Sequence, residues 1–550
     1  RKMTKAEFLE KLRIELSSGV TPQVLQENLN YYGQYIDDEI RKGRTESEVL
    51  AELGDPWILA KTIVDAQREE SVEDVIYDSR KAAPGKVFVA MKGIRVDGHS
   101  FIPQVLKAGV RVLVTERPVE EELKNSGLSE EELKQVTVVM VEEGRHALAL
   151  LSAARFDHPA KKLVMIGVTG TKGKTTTTHM IRAILLAAGK KVGMIGTTGT
   201  VIGDVVTPTL NTTPESYELH QAFAQMVEAG CEYAVMEVSS QGIKMHRTDG
   251  LYFNYAIFTN ISPDHIGPGE HADFEEYLYY KTRLLNMCGI GLVNKDDKHA
   301  PQIIKAANCE LYTYSEESKE ADFVASDIRY VSQPDFVGTE FHISGKYDME
   351  VRLGIPGLFN VVNALAAVSV CSFLGLDQAR ISHALENIRV NGRMEIVYTS
   401  ERCTVLVDYA HNAVSMESLL STLRDYKPKR LVCVFGCGGN RSKDRRYSMG
   451  EIGGKMADLS IITADNSRYE KVEDIIADIR GSIEKTGGKF IEIPDRREAI
   501  RYSILHAQPG DMVAVIGKGH EDYQEINGVR HHFLDREVIE ETVKELGEKA

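Results

Sequence analysis

The chain lacks any paired cysteine spacing. Seven cysteines are scattered through 550 residues, and only Cys433 and Cys437 lie close together. This excludes a disulfide-stapled scaffold and a four-ligand zinc module, and reads as reduced thiols in a cytoplasmic protein. An apolar run long enough to cross a membrane is missing too. The most apolar stretch, Phe359 to Leu376, is broken by Asn360, Asn363, Ser369 and Ser372, so it reads as a buried core helix. No basic-then-apolar leader opens the sequence. Positive charge is in deficit: 66 Lys+Arg face 81 Asp+Glu, a net charge of −15. A nucleic-acid partner is thereby disfavoured, and anionic ligands have to be held by local basic pockets. Internal repeats and low-complexity segments are absent as well.

What is present is enough apolar residue, 43%, for real cores in roughly three to four domains. Residues 1–70 read as helices alone. Thr4 with Glu7 and Thr45 with Glu48 form capping boxes, and Thr21-Pro22 gives an N-cap followed by proline at the first helical position. From about Val72 the pattern changes to alternating strands and helices, an α/β class. Domains are expected at 71–158, 159–390 and 391–550. In the central one LVMIGV, VGMIGT, YAVMEVSS and YAIFTNIS read as buried parallel strands. In the last, VLVDYAH, RLVCVFGCGG, LSIITADNS and MVAVIGKGH are apolar strands running into polar or glycine-rich loops. Those strand ends are where open α/β sheets place ligands.

The strand LVMIGV leads into Gly170-Thr171-Lys172-Gly173-Lys174-Thr175-Thr176. Backbone N–H groups at such a junction cradle phosphate on a helix N-terminus. Lys174 would neutralise phosphate oxygens and Thr175 would ligate Mg²⁺. The common eight-residue motif has an earlier glycine, and Val168 stands there instead. Glu237 ends YAVME, and Asp264-His265 follows FTNIS, so both fall at the same sheet edge. A carboxylate and an imidazole there can hold Mg²⁺ against a terminal phosphate.

In chain order, GTKGKTTT, LNTTPES, MEVSSQGIKMHR, FTNISPDHI, YLYYKTRLL, GLFNVVNALAA, NGRME, VDYAHN and GCGGNRSKDRR resemble the Mur ligase family. The opening YDSR and the late DNSR and GKGHE resemble one branch of it, which adds the third amino acid of the peptidoglycan stem to UDP-N-acetylmuramoyl-L-alanyl-D-glutamate. The helical N-terminus resembles the HAAS-type module on the strength of YYGQYIDDEIRKG and VLAELGDPWILAKTI; a docking or packing role, near a protein or membrane partner, is expected of it. The resemblance implies a small α/β substrate domain, a central P-loop ATPase with a mostly parallel sheet, and a C-terminal Rossmann-like domain. It implies an ADP-forming ligase of cell-wall synthesis that phosphorylates a substrate carboxylate with ATP and lets an amine displace the phosphate. A monomer is expected.

Site residues follow from the resemblance position by position. Lys174, Thr175, Glu237 and His265 would hold ATP and Mg²⁺. Lys281 in YYKTR matches a lysine that the family carbamylates with CO₂, which turns an ammonium into an anionic oxygen ligand for a second Mg²⁺. Asn360, Arg393 and Asp408 match nucleotide contacts. Ser79, Ile94, Arg95, Val96, Asn211, Thr212, Thr213, Ser239 and Arg247 match contacts to the UDP-sugar dipeptide, expected between the first domain and the central one, with Arg247 pairing a carboxylate. Arg441, Asp465, Asn466, Ser467, Arg468, Gly517 and Glu521 match the amino-acid site. Several positions depart from the family pattern. Met245 replaces a glutamine, with Lys244 as the candidate substitute; GPGEHADF follows His265; YAHNAVS alters a helix start; and Ser467 replaces a proline. Arg468 favours meso-2,6-diaminopimelate, whose far carboxylate a guanidinium reads with two parallel hydrogen bonds. L-lysine is the alternative substrate. A folylpolyglutamate-synthase-like ligase and a catalytically idle scaffold are the competing functions.

Overall fold

A computed structural model describes residues 3–17, 19–67, 72–93 and 96–547. The chain divides into two compact units, one of residues 1–90 and 97–140, the other of 91–96 and 141–550.

The first unit opens with four helices, Lys5–Leu16, Pro22–Arg41, Glu46–Leu53 and Pro56–Gln67. Both capping boxes are formed, with Thr4 and Thr45 each accepting from the third helical N–H. Phe8, Leu12, Leu16, Ile36, Val49, Leu50 and Ala60 close a small core. A four-stranded parallel sheet follows, Asp74–Ile76, Lys86–Val89, Val112–Thr115 and Thr137–Met140 in spatial order. Its fourth strand, the apolar TVVM, is not among the strands the sequence reading picked out, and all four of its residues are exposed.

The second unit holds two larger sheets. The central one has eleven strands. Val164–Thr169 lies in its middle between Tyr233–Glu237 and Phe253–Phe258, parallel to both. The four strands anticipated around the nucleotide loop are present, and Val168 is a buried strand residue; the loop glycines Gly170 and Gly173 come only after the strand ends. Sequence reasoning did not resolve the antiparallel additions at either edge: Gly199–Ile202 with Val205–Thr207, and Phe323–Gln333, Phe336–Gly345 and Met349–Leu353. The apolar run beyond Phe359 is the helix Leu358–Phe373, buried against the sheet through Val361, Ala364, Leu365, Val368 and Cys371. No helix of the described residues is long and apolar enough to cross a membrane.

The last sheet has six strands in the order Glu395–Thr399, Cys403–Asp408, Asp511–Ile516, Arg430–Phe435, Leu459–Ile462 and Phe490–Glu492. Only the Glu395–Thr399 edge is antiparallel. In both sheets of this unit the carboxyl ends of the central strands carry the loops in which the motifs lie.

Candidate active site

The loop after Thr169 is shaped by two glycines with positive φ, Gly170 at 138° and Gly173 at 87°. A Cβ at Gly170 would collide with the Thr259 hydroxyl, and one at Gly173 with the Asn363 amide oxygen. The loop is pinned from the neighbouring strand end. Asn260 accepts from the Lys172 N–H at 2.9 Å and donates back to its carbonyl at 3.0 Å, and the Thr171 hydroxyl lies 3.0 Å from that of Tyr277. The helix Lys174–Ala187 begins one residue before the hydroxyl run. Thr176 is buried in its first turn.

Two lysines converge on one carbonyl. Lys174 Nζ donates to Gly170 O at 2.8 Å and to Thr171 O at 3.1 Å. Lys281, from the helix Phe274–Thr282, donates to the same Gly170 O at 2.8 Å and sits 4.8 Å from the Tyr277 ring centre. Burial holds the Lys174 ammonium below its ordinary range, and burial together with Lys174 drives Lys281 well below it. A carbonyl is a weak partner for two ammonium groups, and such a pair favours an added anion. Beside them Glu237, 1% exposed, accepts from the Thr175 hydroxyl at 3.0 Å and from the Thr197 N–H at 2.9 Å. Hydroxyl and carboxylate oxygens are the donor set that suits Mg²⁺, and the lysines suit a polyphosphate, so the residues fit both groups. His265 is more exposed than expected for a ligand. Its Nδ1 lies 3.1 Å from Glu270, in a left-handed turn with φ 54°.

Asp408 ends its strand half-buried, accepting from the Met394 and Ala410 N–H groups at 2.8 and 2.7 Å, and desolvation raises its carboxyl above the usual range. The Arg393 guanidinium stacks 4.9 Å over Tyr409. Asn360 donates to Pro356 O at 2.7 Å and accepts from Asn363 at 3.2 Å, so its amide supports the loop-facing helix.

Among the expected dipeptide contacts, Ser79 starts a 3₁₀ turn capped by Asp78, and Val96 is exposed. Ile94 and Arg95 lie outside the described residues. Thr213 is buried, donating to Glu237 O and accepting from the Ser239 N–H, while Ser239 caps a short helix at Gly242. Thr212 Oγ1 lies 3.0 Å from Thr197 Oγ1, and Asn211 is exposed beside it. Arg247, expected to meet a ligand carboxylate, is bound to an internal one: its NH2 lies 2.7 Å from Glu215, and its NH1 donates to Thr213 O. Lys244, the candidate substitute for the missing glutamine, has its Nζ on Glu270 O and Glu276.

The third cluster lies at the carboxyl edge of the six-stranded sheet. Asn466 donates to Glu521 at 3.0 Å, and Lys518, fully buried, donates to Asn466 and to Glu521, both at 3.2 Å. Arg468 donates to Gly439 O at 2.7 Å and faces Glu525 at 3.5 Å. Its backbone bridges to the hairpin Tyr523–Ile526/Val529–His532, which holds the loop that Ser467 leaves without a proline. Gly517 lies against Asp465, and Arg441 is exposed at the next loop. The altered helix start keeps its cap, because Asn412 Oδ1 accepts from Ser415 N at 2.9 Å. Sequence reasoning missed Thr197, Asn260, Tyr277 and Lys518 as site residues. Asn260, Tyr277 and Lys518 stand inside motifs already singled out; Thr197 only ends the strand VGMIGT and carries no further sequence signal.

Comparison with known proteins agrees over the whole α/β part. The model of the Mur ligase middle domain matches residues 168–371, that of the Mur ligase glutamate ligase domain 392–519, and that of the Mur ligase family catalytic domain 71–156. The HAAS model matches 7–62. The UDP-N-acetylmuramoyl-L-alanyl-D-glutamate–2,6-diaminopimelate ligase of Caldanaerobacter subterraneus subsp. tengcongensis is 39% identical over 480 residues, covering 86% of this chain and 95% of that protein. The enzyme of the same name from Clostridium perfringens is 37% identical, covering 87% of this chain and 96% of its own length. A solved structure of a protein with that name superposes with a TM-score of 0.66 at 30% identity, covering 87% of this chain and 96% of that one.

Proposed function

The chain belongs to the Mur ligase family, and from that premise we propose that it joins meso-2,6-diaminopimelate to UDP-N-acetylmuramoyl-L-alanyl-D-glutamate. It is an ATP-dependent, ADP-forming, amide-bond-forming ligase of peptidoglycan synthesis. The observation that carries the reading is the pair of lysines, half-buried Lys174 and buried Lys281, on Gly170 O beside Glu237.

Lys174 and the loop N–H groups bind the triphosphate and fix its terminal phosphate. Thr175 and Glu237 would hold Mg²⁺, with His265 joining when its Glu270 contact opens. The cation supplies neutralisation of phosphate charge when bound. The rest of catalysis is positioning and electrostatics of the protein's own groups. Burial and Lys174 drive Lys281 well below the ordinary lysine range, which favours the neutral amine, the form that adds to CO₂. As a carbamate it would supply anionic oxygen suited to a second Mg²⁺ and would offset the charge of Lys174. Asp408 and Arg393 serve the nucleotide. Ser79, Val96, Asn211, Thr212, Thr213, Ser239 and Arg247 serve the UDP-sugar dipeptide, with Arg247 exchanging Glu215 for the ligand carboxylate.

For the amine substrate, Glu521 and Asp465 suit ammonium groups, and Arg468 and Arg441 suit the far carboxylate. L-lysine has no far carboxylate, and a built guanidinium left unpaired rejects such an analogue strongly. The test is incubation with ATP, Mg²⁺ and the UDP-sugar dipeptide plus either amino acid, reading phosphate release and product mass. Phosphate and product with diaminopimelate are expected. Turnover with lysine alone would sink the substrate assignment, and no phosphate with either would sink the ligase.

A further inference from the structure

Beside the Arg247 network stands a second cluster that the ligase reaction does not use. His146, on the first turn of the helix Gly144–Arg155, and His246 and Asp249, in the turn after Lys244, converge on a single atom. Asp249 Oδ2 lies 2.6 Å from His146 Nδ1 and 2.8 Å from His246 Nδ1. The two rings stand edge to face with centres 6.3 Å apart. His246 reaches this position with φ 56°, a left-handed backbone that turns its ring back toward the aspartate three residues on.

The same two segments are linked a second time, one residue along. Glu215 lies 3.4 Å from Arg145 and 2.7 Å from Arg247. That pairing uses guanidinium groups, which cannot ligate a metal. The neighbouring one uses imidazoles, which can. We propose that His146, His246 and Asp249 form a binding site for a borderline divalent transition cation of the zinc type, distinct from any Mg²⁺ at Glu237, and that it clamps the Gly144–Arg155 helix to the turn carrying Arg247.

The chemistry selects the class. Two nitrogen donors and one carboxylate, with a fourth position open to water, match zinc, whereas Mg²⁺ and Ca²⁺ take oxygen sets. With metal bonds of ~2.0–2.2 Å, tetrahedral ligands stand roughly 3.4 Å apart. The present separations of 2.6 and 2.8 Å therefore need to open by only ~0.6–0.8 Å. The cation takes the place of the Nδ1–H hydrogen bonds, and each ring then keeps its proton on Nε2.

The test titrates the chelator-treated full chain with Co²⁺ and with Zn²⁺ in excess Mg²⁺. One equivalent is expected, seen as tetrahedral Co²⁺ absorption that Zn²⁺ bleaches. His146→Ala and Asp249→Asn should each weaken it by at least the ~10–100-fold that losing an outer-shell partner costs, with far-UV circular dichroism unchanged. Zn²⁺ should raise Tm in the parent protein and not in the variants. A parent protein without the band, or a variant that keeps the equivalent at parent affinity, would overturn the proposal.

Discussion

Lys281 is the last residue but one of the helix Phe274–Thr282, in the segment YYKTR. Its 2% exposure and its place on Gly170 O set it apart. Lys281→Ala should lower turnover by about 10²–10³-fold, in the range of losing one preorganised charge-stabilising group. A short carboxylic acid should restore part of it; full turnover in the variant would remove the carbamate from the reaction. Arg468→Ala should raise KM for diaminopimelate by ~10–100-fold, the loss of a hydrogen bond to a charged group, with kcat less affected. An unchanged KM would leave Arg468 as a prop for Gly439. Where chemistry forces a residue type into a motif the sequence names a single residue, and the fold brings Lys174 and Glu237 to one loop as their motifs suggest. Arg247 shows the limit: sequence names the guanidinium, but only the fold reveals that Glu215 occupies it.

At the level of elements, the strand-to-helix junction at the nucleotide loop depends on the absence of side chains. Gly170→Ala would require φ 138° of an alanine and a clash with Thr259, so ATP binding should be lost; isothermal titration with ATP would show it. Thr45→Ala removes a complete capping box and should lower the stability of the first unit by ~1 kcal/mol, read as a shift in urea midpoint. Parallel strands buried on both faces were legible as unbroken apolar runs. The edges were not, for a physical reason. Phe323–Gln333 is buried at its start and largely exposed beyond Ala325, so it carries neither a continuous run nor a clean alternation. The hairpin that anchors Arg468 is mostly polar and exposed along Val529–His532, and nothing local in its sequence ties it to a loop some sixty residues earlier.

For the molecule as a whole, acid is the informative stress. Burial lowers His179 and His220 to about 4, against ~6.5 in an unfolded chain. Between those values the unfolded chain binds more protons, so stability is complete above about pH 6.5 and falls as pH drops toward 4, by up to roughly 3 kcal/mol for each group. Urea midpoints measured from pH 7 to 4 should therefore decline, and His220→Gln should flatten part of the slope; a parallel decline in the variant would assign it to other groups. The division into two units was not legible from composition. The helical segment and the first sheet differ in pattern yet cluster together along the chain, and clustering is a property of contacts, which periodicity does not encode.

The sealed thiols give the molecule a set of internal clocks. Cys371 lies in the core under the central sheet, and Cys433 within the six-stranded one. Burial lifts both well above the usual thiol range, so neither reacts while its sheet is closed. The rate at which an alkylating reagent consumes each, resolved by peptide mass, then times the opening of one sheet independently of the other. Nucleotide should slow the clock at Cys371, on the helix that supports the phosphate loop through Asn363, and the amino-acid substrate the clock at Cys433.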